Sequence, residues 1–250
     1  MADEILTEDH GRVRLITLNR PEARNAINSA LGQGLVAAVQ ELDADDGITA
    51  GVLTGAGGSF SAGMDLKAFL TEGPPKGFGE FLKDGGTKPL IAAVEGYALA
   101  GGLELALSCD LIVSAKGVKF GIPEVKRGLF AAGGGLFRLP NRVPYGVAME
   151  LALTGVPILA DKAHDLGLVS RLAEPGKAVE AALELAGEIA KNAPLGVAIS
   201  KQIIRGSRGL TEEESWSFQG PLAGKVFASE DAKEGPRAFA EKREPNWTGR

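Results

Sequence analysis

Residues 90–115 read LIAAVEGYALAGGLELALSCDLIVSA, and this stretch decides the fold. The apolar run Leu90–Val94 predicts a short buried strand, Gly101–Ser108 a short helix, and Asp110–Ala115 a second strand. Glycine and alanine fill the turn before the helix, where small residues let the backbone come close to a ligand. A strand, a helix and another strand in such short succession predict an α/β core.

The residues before this stretch repeat the alternation of strand and helix. Arg12–Asn19 alternates apolar and polar residues as a strand does, and Asn28 is a candidate cap for a helix over about Ala30–Leu42. Thr49–Thr54 is typical of a buried strand, and it runs into the glycine-rich loop Gly55–Gly63. The N-terminal part of the chain therefore consists of β/α units.

Two later regions differ in texture. Thr71–Lys88 is polar and rich in Gly and Pro, so we expect a mobile, lid-like connection there. After about Pro175 the sequence predicts four helices: Lys177–Lys191, Leu195–Arg205, Glu212–Ala228 and Ser229–Lys242. We therefore divide the chain into a core of residues 1–175 and a helical C-terminal segment of residues 176–250, with no linker long enough for independent domains.

Composition excludes several function classes. The 250 residues carry 27 Lys and Arg against 32 Asp and Glu, which gives a formal net charge of −5. This acidity argues against broad electrostatic binding to nucleic acid or to an anionic membrane, although local cations can still hold a small anionic ligand. No run of about 18 uncharged apolar residues occurs, so no membrane span is expected.

Cysteine and histidine are scarce. Cys109 is the one cysteine, which excludes an intrachain disulfide and a cysteine-based zinc site. His10 and His164 are the two histidines, so a metal site is not expected, and His164 fits a solvated helical surface. The acidic N-terminus MADEILTEDH has no apolar segment typical of a signal peptide. We expect a cytoplasmic protein.

Familiar nucleotide and hydrolase motifs do not account for the 35 glycines. No GxGxxG follows the first strand, and no GxxxxGK[ST] occurs, which disfavours a dinucleotide or P-loop enzyme. GxSxG is absent too, which argues against an α/β-hydrolase.

Two segments carry the candidate chemistry. Phe60–Lys67 (FSAGMDLK) and Gly96–Ala106 (GYALAGGLELA) each place small residues at a strand-to-helix turn, and two such turns can aim two N–H donors at one oxygen. Glu104 lies just inside the second turn, and Glu124 follows 20 residues later. Paired carboxylates beside an oxyanion hole suit acid/base work on a carbon next to a carbonyl. From spacing alone, glycines that serve only helix packing and solvated glutamates remain the alternative.

These segments resemble the signature of the crotonase (enoyl-CoA hydratase/isomerase) superfamily. The likeness extends to Leu18–Pro21 (LNRP), Asn25–Asn28 (NAIN) and Gly133–Pro140 (GGGLFRLP), and it spans nearly the whole chain. The resemblance implies an α/β fold of stacked ββα units, the spiral core of the ClpP/crotonase type, followed by a C-terminal helical segment. It also implies a homotrimer or dimer of trimers in which that segment helps form the interface.

The resemblance also implies a role for individual residues. The backbone N–H groups of Met64 and Gly101 would form the oxyanion hole for a thioester carbonyl, and Glu104 and Glu124 match the two catalytic glutamates of hydratases. Positions that would contact coenzyme A or the substrate are Arg24, Ala26, Ala62, Asp65, Leu66, Lys67, Leu99, Gly102 and Pro123. Coenzyme A would be part of the acyl-CoA substrate, with no separate cofactor and no metal.

The implied activity is that of an enoyl-CoA hydratase of fatty-acid β-oxidation, which adds water to a trans-2-enoyl-CoA and yields a 3-hydroxyacyl-CoA. An enoyl-CoA isomerase or another thioester enolate chemistry is an alternative, and a non-catalytic acyl-CoA binding protein is an alternative of another class. Ala100 stands where a Gly is common in the family, and Ala131-Ala132 where a Pro-Gly-like pair is frequent. We expect the oxyanion hole to tolerate the small Ala100 methyl.

Overall fold

A six-stranded sheet forms the centre of the computed structural model, which describes residues 3–250. Its strand order is β1-β2-β3-β4-β6-β9. The strands are β1 (Ile5–His10), β2 (Val13–Leu18), β3 (Ala50–Gly55), β4 (Leu90–Val94), β6 (Leu111–Ala115) and β9 (Arg171–Ala173). Strands β1 and β2 pair antiparallel, and every later pair in this sheet is parallel.

A smaller, three-stranded sheet lies next in the chain's path. It consists of β5 (Tyr97–Leu99), β7 (Lys119–Gly121) and β8 (Ile158–Leu159), with β5 parallel to β7 and β7 antiparallel to β8. Strand β5 begins three residues after β4 ends, so the chain passes from the large sheet into the small one just before the second candidate turn.

Helices connect and cover the sheets. They are α1 (Ser29–Ala44), α2 (Leu66–Glu72), α3 (Phe78–Asp84), α4 (Gly101–Ser108), α5 (Gly135–Arg138), α6 (Tyr145–Thr154), α7 (Ala160–Asp165), α8 (Ala178–Ala190), α9 (Pro194–Gly206), α10 (Glu212–Phe227) and α11 (Glu230–Glu241). Short 3₁₀ helices span Pro21–Ala23, Pro123–Arg127 and Leu139–Asn141. None of the helices within residues 3–250 is long and apolar enough to cross a membrane.

Both faces of the large sheet are covered. Side chains of α1 pack on one face together with those of β2 and β3, and α8 covers the other face. Burial on both faces explains why β4 is a continuous apolar run instead of an alternating one. Helix α8 is the first helix after residue 175, and it packs directly on the sheet of the core.

The sequence predicted most of these elements to within a few residues. Strand β4 and helix α4 have the predicted bounds, and Asn28 caps α1 by accepting a hydrogen bond from the Leu31 N–H at 2.8 Å. Five strands were not predicted: β5, β7, β8 and β9, each of two or three residues, and β1. Strand β1 is an edge strand whose side chains are mostly exposed, so its polar sequence gives no sign of burial.

The expectation of a polar, lid-like connection over Thr71–Lys88 is wrong for its second half. Helix α3 forms there, and Phe78, Phe81 and Leu82 are buried in the main core. These three residues follow the i, i+3, i+4 spacing of one helix face, which the surrounding Gly and Pro residues obscured. The segment therefore contributes a wall of the core.

Replacing Phe81 by Ala tests this correction. Phe81 is 3% exposed, so the substitution leaves a cavity and should lower the free energy of unfolding by about 3–5 kcal/mol. The matched control is Leu70→Ala on α2, where the side chain is 84% exposed and the loss should stay within about 0.5 kcal/mol. Equal effects of the two substitutions in denaturant melts would restore the lid-like interpretation.

Candidate active site

The two candidate turns lie against each other. Strand-like pairing brings them together, because the Ser61 N–H donates to the Tyr97 carbonyl at 3.3 Å and the Leu99 N–H donates to the Ser61 carbonyl at 3.2 Å. Gly63 has a φ of +94°, and a Cβ there would lie 2.9 Å from the Gly101 nitrogen. Only glycine therefore fits at the point where the two turns meet.

Both predicted oxyanion donors are located at this contact. Within residues 3–250, neither the Met64 N–H nor the Gly101 N–H donates a hydrogen bond to another group. Gly101 is the first residue of α4, where a helix leaves its N–H groups without an intrahelical acceptor. A Cβ built on Gly101 would lie 3.4 Å from the Met64 nitrogen. Two unbonded amides are thus adjacent.

Ala100 adopts a backbone conformation that favours glycine. Its φ is +52° and its ψ is −129°, a combination that is strained for any residue with a Cβ. The turn is held by hydrogen bonds on both sides. The Ala100 N–H donates to Gly121 at 2.9 Å, and its carbonyl accepts from Leu103 at 2.9 Å and Glu104 at 3.1 Å. The surrounding bonds thus hold the strained turn in place in spite of the methyl group.

Glu104 is a buried carboxylate in the first turn of α4. It is 4% exposed, and its Oε1 accepts a hydrogen bond from the Gly135 N–H at 2.9 Å. Burial raises the pKa of Glu104, while the N–H groups of Gly135 and Gly133 and the charge of Arg138 oppose that increase. The carboxylate therefore has donors ready for its charged form.

The glycine loop, Gly133–Gly135, encloses this carboxylate. A Cβ at Gly133 would lie 2.7 Å from the Glu104 Oε2 and 2.4 Å from a methyl carbon of Leu82. Any side chain at this position would displace one of them. From the sequence, these glycines were identified only as part of the family resemblance, and their contact with Glu104 was not predicted. Three consecutive glycines were the available signal.

Glu124 follows Pro123 at the start of the 3₁₀ helix Pro123–Arg127. Its Oε2 is buried without a hydrogen-bond partner. Burial, together with the neighbouring charge of Glu104, raises the pKa of Glu124 to about 7. The two predicted acids thus have different surroundings: Glu104 accepts a backbone N–H, and one buried oxygen of Glu124 has no hydrogen-bond partner among residues 3–250.

An apolar cavity of about 380 Å³ opens beside Glu124. Its lining residues come from the segment around Glu124, from α5 and from α6: Ile122, Val125, Phe130, Ala131, Leu136, Leu139, Pro140, Tyr145, Ala148, Met149, Ala152 and Leu153. Ala131, singled out in the sequence, is among them. The α6 residues were missed, because nothing in their sequence distinguishes a cavity wall from a core-facing helix.

Several predicted coenzyme A positions lie on two paired segments. The Ala62 N–H donates to the Arg24 carbonyl at 3.1 Å, and this places the two residues side by side. Arg24 and Lys67 have exposed side chains, as does Leu66, while Ala26 and Ala62 are half-buried. These residues border the turn that contains Met64.

Other predicted contact positions have structural roles. The Asp65 carboxylate caps α2 by accepting from the N–H groups of Lys67 and Ala68, and it pairs with Arg20 at 3.2 Å. Gly102 is buried under Ser61, where a Cβ would lie 2.3 Å from a carbonyl oxygen.

The remaining two predicted contact positions, Leu99 and Pro123, flank the site. Leu99 precedes the strained turn and is half-buried, and Pro123 begins the helix that carries Glu124.

Cysteine and histidine stand outside the site. Cys109 is fully buried, and burial raises the pKa of its thiol to about 12. The side chain of His164 is exposed on α7, as expected. In the described part of the chain, no group of three His, Cys, Asp or Glu residues could hold a metal ion.

Comparison with known proteins identifies the family of this chain. A family model described as "Enoyl-CoA hydratase/isomerase" matches residues 8–250. "Enoyl-CoA hydratase EchA19" of Mycobacterium tuberculosis is 43% identical, with 99% of this chain and 97% of the relative covered. "Carnitinyl-CoA dehydratase" of Salmonella arizonae is 39% identical, with both chains fully covered.

Solved structures show the same fold. An enoyl-CoA hydratase from Mycobacterium tuberculosis H37Rv superposes with a TM-score of 0.94 at 55% identity, over 99% of this chain and 100% of the other. An enoyl-CoA hydratase from Bacillus anthracis gives a TM-score of 0.93 at 30% identity, with the same coverage of both chains. The chain therefore belongs to the enoyl-CoA hydratase/isomerase family and has the crotonase fold that its sequence motifs predict.

Proposed function

We propose that this chain is an enoyl-CoA hydratase, which adds water across the double bond of a trans-2-enoyl-CoA to give a 3-hydroxyacyl-CoA. One observation supports this most: two adjacent, unbonded N–H groups, at Met64 and Gly101, lie at the N-terminus of the helix that carries Glu104. The negative charge of Glu104 contributes to the raised pKa of Glu124. An oxyanion site and two acids are what addition of water to an α,β-unsaturated thioester requires.

The thioester oxygen would bind between the two N–H groups. Negative charge develops on this oxygen as water adds at C3, so donors already in place lower the barrier, each by about 3–4 kcal/mol. The positive end of the α4 dipole acts in the same direction, because Gly101 is the first residue of that helix.

The two glutamates would divide the proton transfers. Glu104 accepts backbone hydrogen bonds that favour its charged form, so it is suited to remove a proton from water as the oxygen attacks C3. Glu124, with a pKa of about 7, retains a proton that it can deliver to C2. On the family resemblance alone, we assign Glu124 the larger acid/base role. The hydroxyl on C3 would then come from water and the hydrogen on C2 from Glu124, and the proton taken up by Glu104 would return to Glu124 to restore the starting state.

The rest of the substrate would lie along the residues around the site. Arg24 and Lys67 are exposed cations on segments that flank Met64, and they would attract the phosphates of coenzyme A despite the net negative charge of the chain. The apolar cavity beside Glu124 is suited to an acyl group. Coenzyme A is part of the substrate in this proposal, and no separate cofactor takes part.

Oligomerisation and location stay predictions. Large apolar side chains that are exposed in the isolated chain, among them Tyr145, Leu153, Phe227 and Phe239, fit an interface between subunits. We propose a homotrimer or a dimer of trimers whose interface includes the C-terminal helices, in a cytoplasmic protein.

A panel of enoyl-CoA chain lengths tests the proposed reaction. Hydration consumes the conjugated thioester, so its absorbance should fall with 2-enoyl substrates. Turnover of 3-enoyl thioesters without net water addition would favour an isomerase instead. Tight acyl-CoA binding without turnover at any chain length would favour a binding protein.

Glu104→Gln and Glu124→Gln should each lower kcat by about 10²-fold or more, because Gln keeps the shape but cannot exchange a proton. Turnover of a 2-enoyl-CoA by each purified variant, with wild type in parallel, is the measurement. Exposed Glu150 on α6 offers a control, since Glu150→Gln should leave kcat unchanged. Full activity of both active-site variants would remove these residues from the mechanism.

Glu124→Gln should also change the pH dependence of stability. The folded-state pKa of about 7 lies above the usual value, so the neutral form is favoured and stability is lost as pH rises through 7. At pH 8 the variant should be more stable than wild type by about 1–3 kcal/mol, and near pH 4 the difference should vanish. Denaturant melts at both pH values measure this. A variant equally or less stable than wild type at pH 8 would contradict the buried, neutral Glu124.

Replacing both Arg24 and Lys67 by Ala should raise KM more than it lowers kcat, because the phosphates lie far from the reacting carbons. Steady-state kinetics at low ionic strength measure the split. Lys162→Ala on α7 removes an exposed cation elsewhere and should change neither constant. An unaltered KM in the double variant would exclude these two cations from the binding site.

A further inference from the structure

Arg138, the last residue of α5, joins three separate parts of the chain. Its Nη1 donates to the Ser108 hydroxyl at 3.1 Å and to the Gly133 carbonyl at 3.2 Å, and its Nη2 donates to the Leu82 carbonyl. These acceptors belong to the end of α4, to the glycine loop and to α3. A single half-buried guanidinium therefore links three elements, in addition to the hydrogen bond between the Gly135 N–H and Glu104.

All three elements surround the Glu104 carboxylate. The glycine loop gives its Gly135 N–H to the carboxylate, and the Leu82 side chain lies against Gly133. Ser108 donates its hydroxyl hydrogen to the Glu104 carbonyl at 2.9 Å, one turn back on the same helix. The hydrogen bonds of Arg138 thus connect the groups that fix the position of Glu104.

The glycine loop is shaped to admit the guanidinium. Gly134 has a φ of +100°, and a Cβ there would lie 2.8 Å from the Arg138 Nη1. The middle glycine therefore leaves room for Arg138, while its neighbours leave room for Glu104. Gly133 and Gly135 thus border Glu104, and Gly134 borders Arg138.

Arg138 is the cation whose positive charge acts on Glu104. From the elements packed against Glu104, the charged groups that act on it are Glu124 and Arg138. Arg138 forms no ion pair within 4.0 Å among residues 3–250, and the cations that face it are Arg205 and Arg208. The half-buried guanidinium is stabilised by its three hydrogen-bond acceptors, by the Phe137 ring, whose centroid lies 5.5 Å from the Arg138 Cζ, and by the negative charge of Glu104.

Capping of α4 does not explain Arg138. The Arg142 Nη2 already donates to the Leu107 carbonyl at 3.2 Å and to the Cys109 carbonyl at 2.7 Å, and Arg205 donates to the Ser108 carbonyl. Neither of those arginines bonds to the glycine loop. They satisfy the C-terminal carbonyls of the helix, which leaves the link to Gly133 as the distinctive contact of Arg138.

We propose that Arg138 is a positioning residue for Glu104: by holding the Gly133 carbonyl, it keeps the glycine loop's N–H groups on the carboxylate and supports its charged form. For catalysis this inference rests on the proposed function, since Glu104 is assigned there as the base toward water. The link to the protonation of Glu104 holds without any substrate. The effect of Arg138 on catalysis and its effect on the protonation of Glu104 can therefore be measured separately.

The test compares Arg138→Met and Arg138→Lys with Arg142→Met. The first readout is the pKa of Glu104 in the substrate-free protein, from carboxylate infrared difference spectra in which Glu104→Gln identifies the band. Arg138→Met should raise this pKa by about one unit, because it removes a nearby positive charge and releases the loop. Arg142→Met, which leaves the loop untouched, should leave it unchanged.

The second readout is the pH dependence of hydration. In Arg138→Met, the acidic limb of kcat should move to higher pH, with the greatest loss at low pH and with KM within about twofold of wild type. Arg138→Lys keeps the charge but loses the planar fork, so kcat should fall about tenfold with a smaller shift of the limb. If the Arg138→Met variant does not fold, Arg138→Lys still tests the proposal.

Three outcomes would overturn the proposal: an unchanged Glu104 pKa in Arg138→Met, an equal shift in Arg142→Met, or an Arg138→Lys variant with wild-type kcat. Failure of the proposed function is distinct. It would be recorded as a wild-type protein that turns over no 2-enoyl-CoA, while the infrared readout would still decide the role of Arg138.

Discussion

The close approach of two backbone turns, at Gly63 and Gly101, is the constraint on which the candidate site depends. No side chain fits at Gly63, where a Cβ would lie 2.8 Å from the Ala100 methyl and 2.9 Å from the Gly101 nitrogen, and within residues 3–250 the adjacent N–H groups of Met64 and Gly101 donate no hydrogen bond. The pairing of Ser61 with Ala98 sets this approach. Helix α4 then begins at the contact and carries Glu104 in its first turn. One local juxtaposition thus positions both unbonded amides and the Glu104 side chain.

The two acids of the site are separated by environment. Glu104 is enclosed by the glycine loop, whose N–H groups favour the carboxylate, whereas Glu124 has a buried oxygen with no hydrogen-bond partner among residues 3–250. Like charges in one site oppose double ionisation, so the proton remains on the acid that lacks donors. This difference in environment supports our proposal of hydration. It also makes Arg138, which holds the loop, part of the same arrangement.

Sequence reasoning reached the fold and most of the candidate site, because both depend on local signals. Periodicity and small residues at turns located β4, α4 and their turn, and family motifs singled out Glu104 and Glu124. Helix α3 was hidden, since its buried face lies among glycines and prolines. The contact of Gly133 with Glu104 joins residues 29 positions apart, and the linkage of Arg138 to Leu82 spans 56. Contacts of this kind depend on the folded path of the chain, which local patterns do not contain.

The central claim is that two backbone amides polarise one thioester oxygen. Its most direct test is the carbonyl stretching frequency of a 2-enoyl-CoA, labelled with ¹³C at the thioester carbon and bound to the Glu104→Gln, Glu124→Gln double variant so that it does not turn over. Hydrogen bonds from Met64 and Gly101 should shift this band below its position for the free thioester in water. A band at the free-solution frequency, with binding demonstrated independently, would contradict the oxyanion hole and the mechanism built on it.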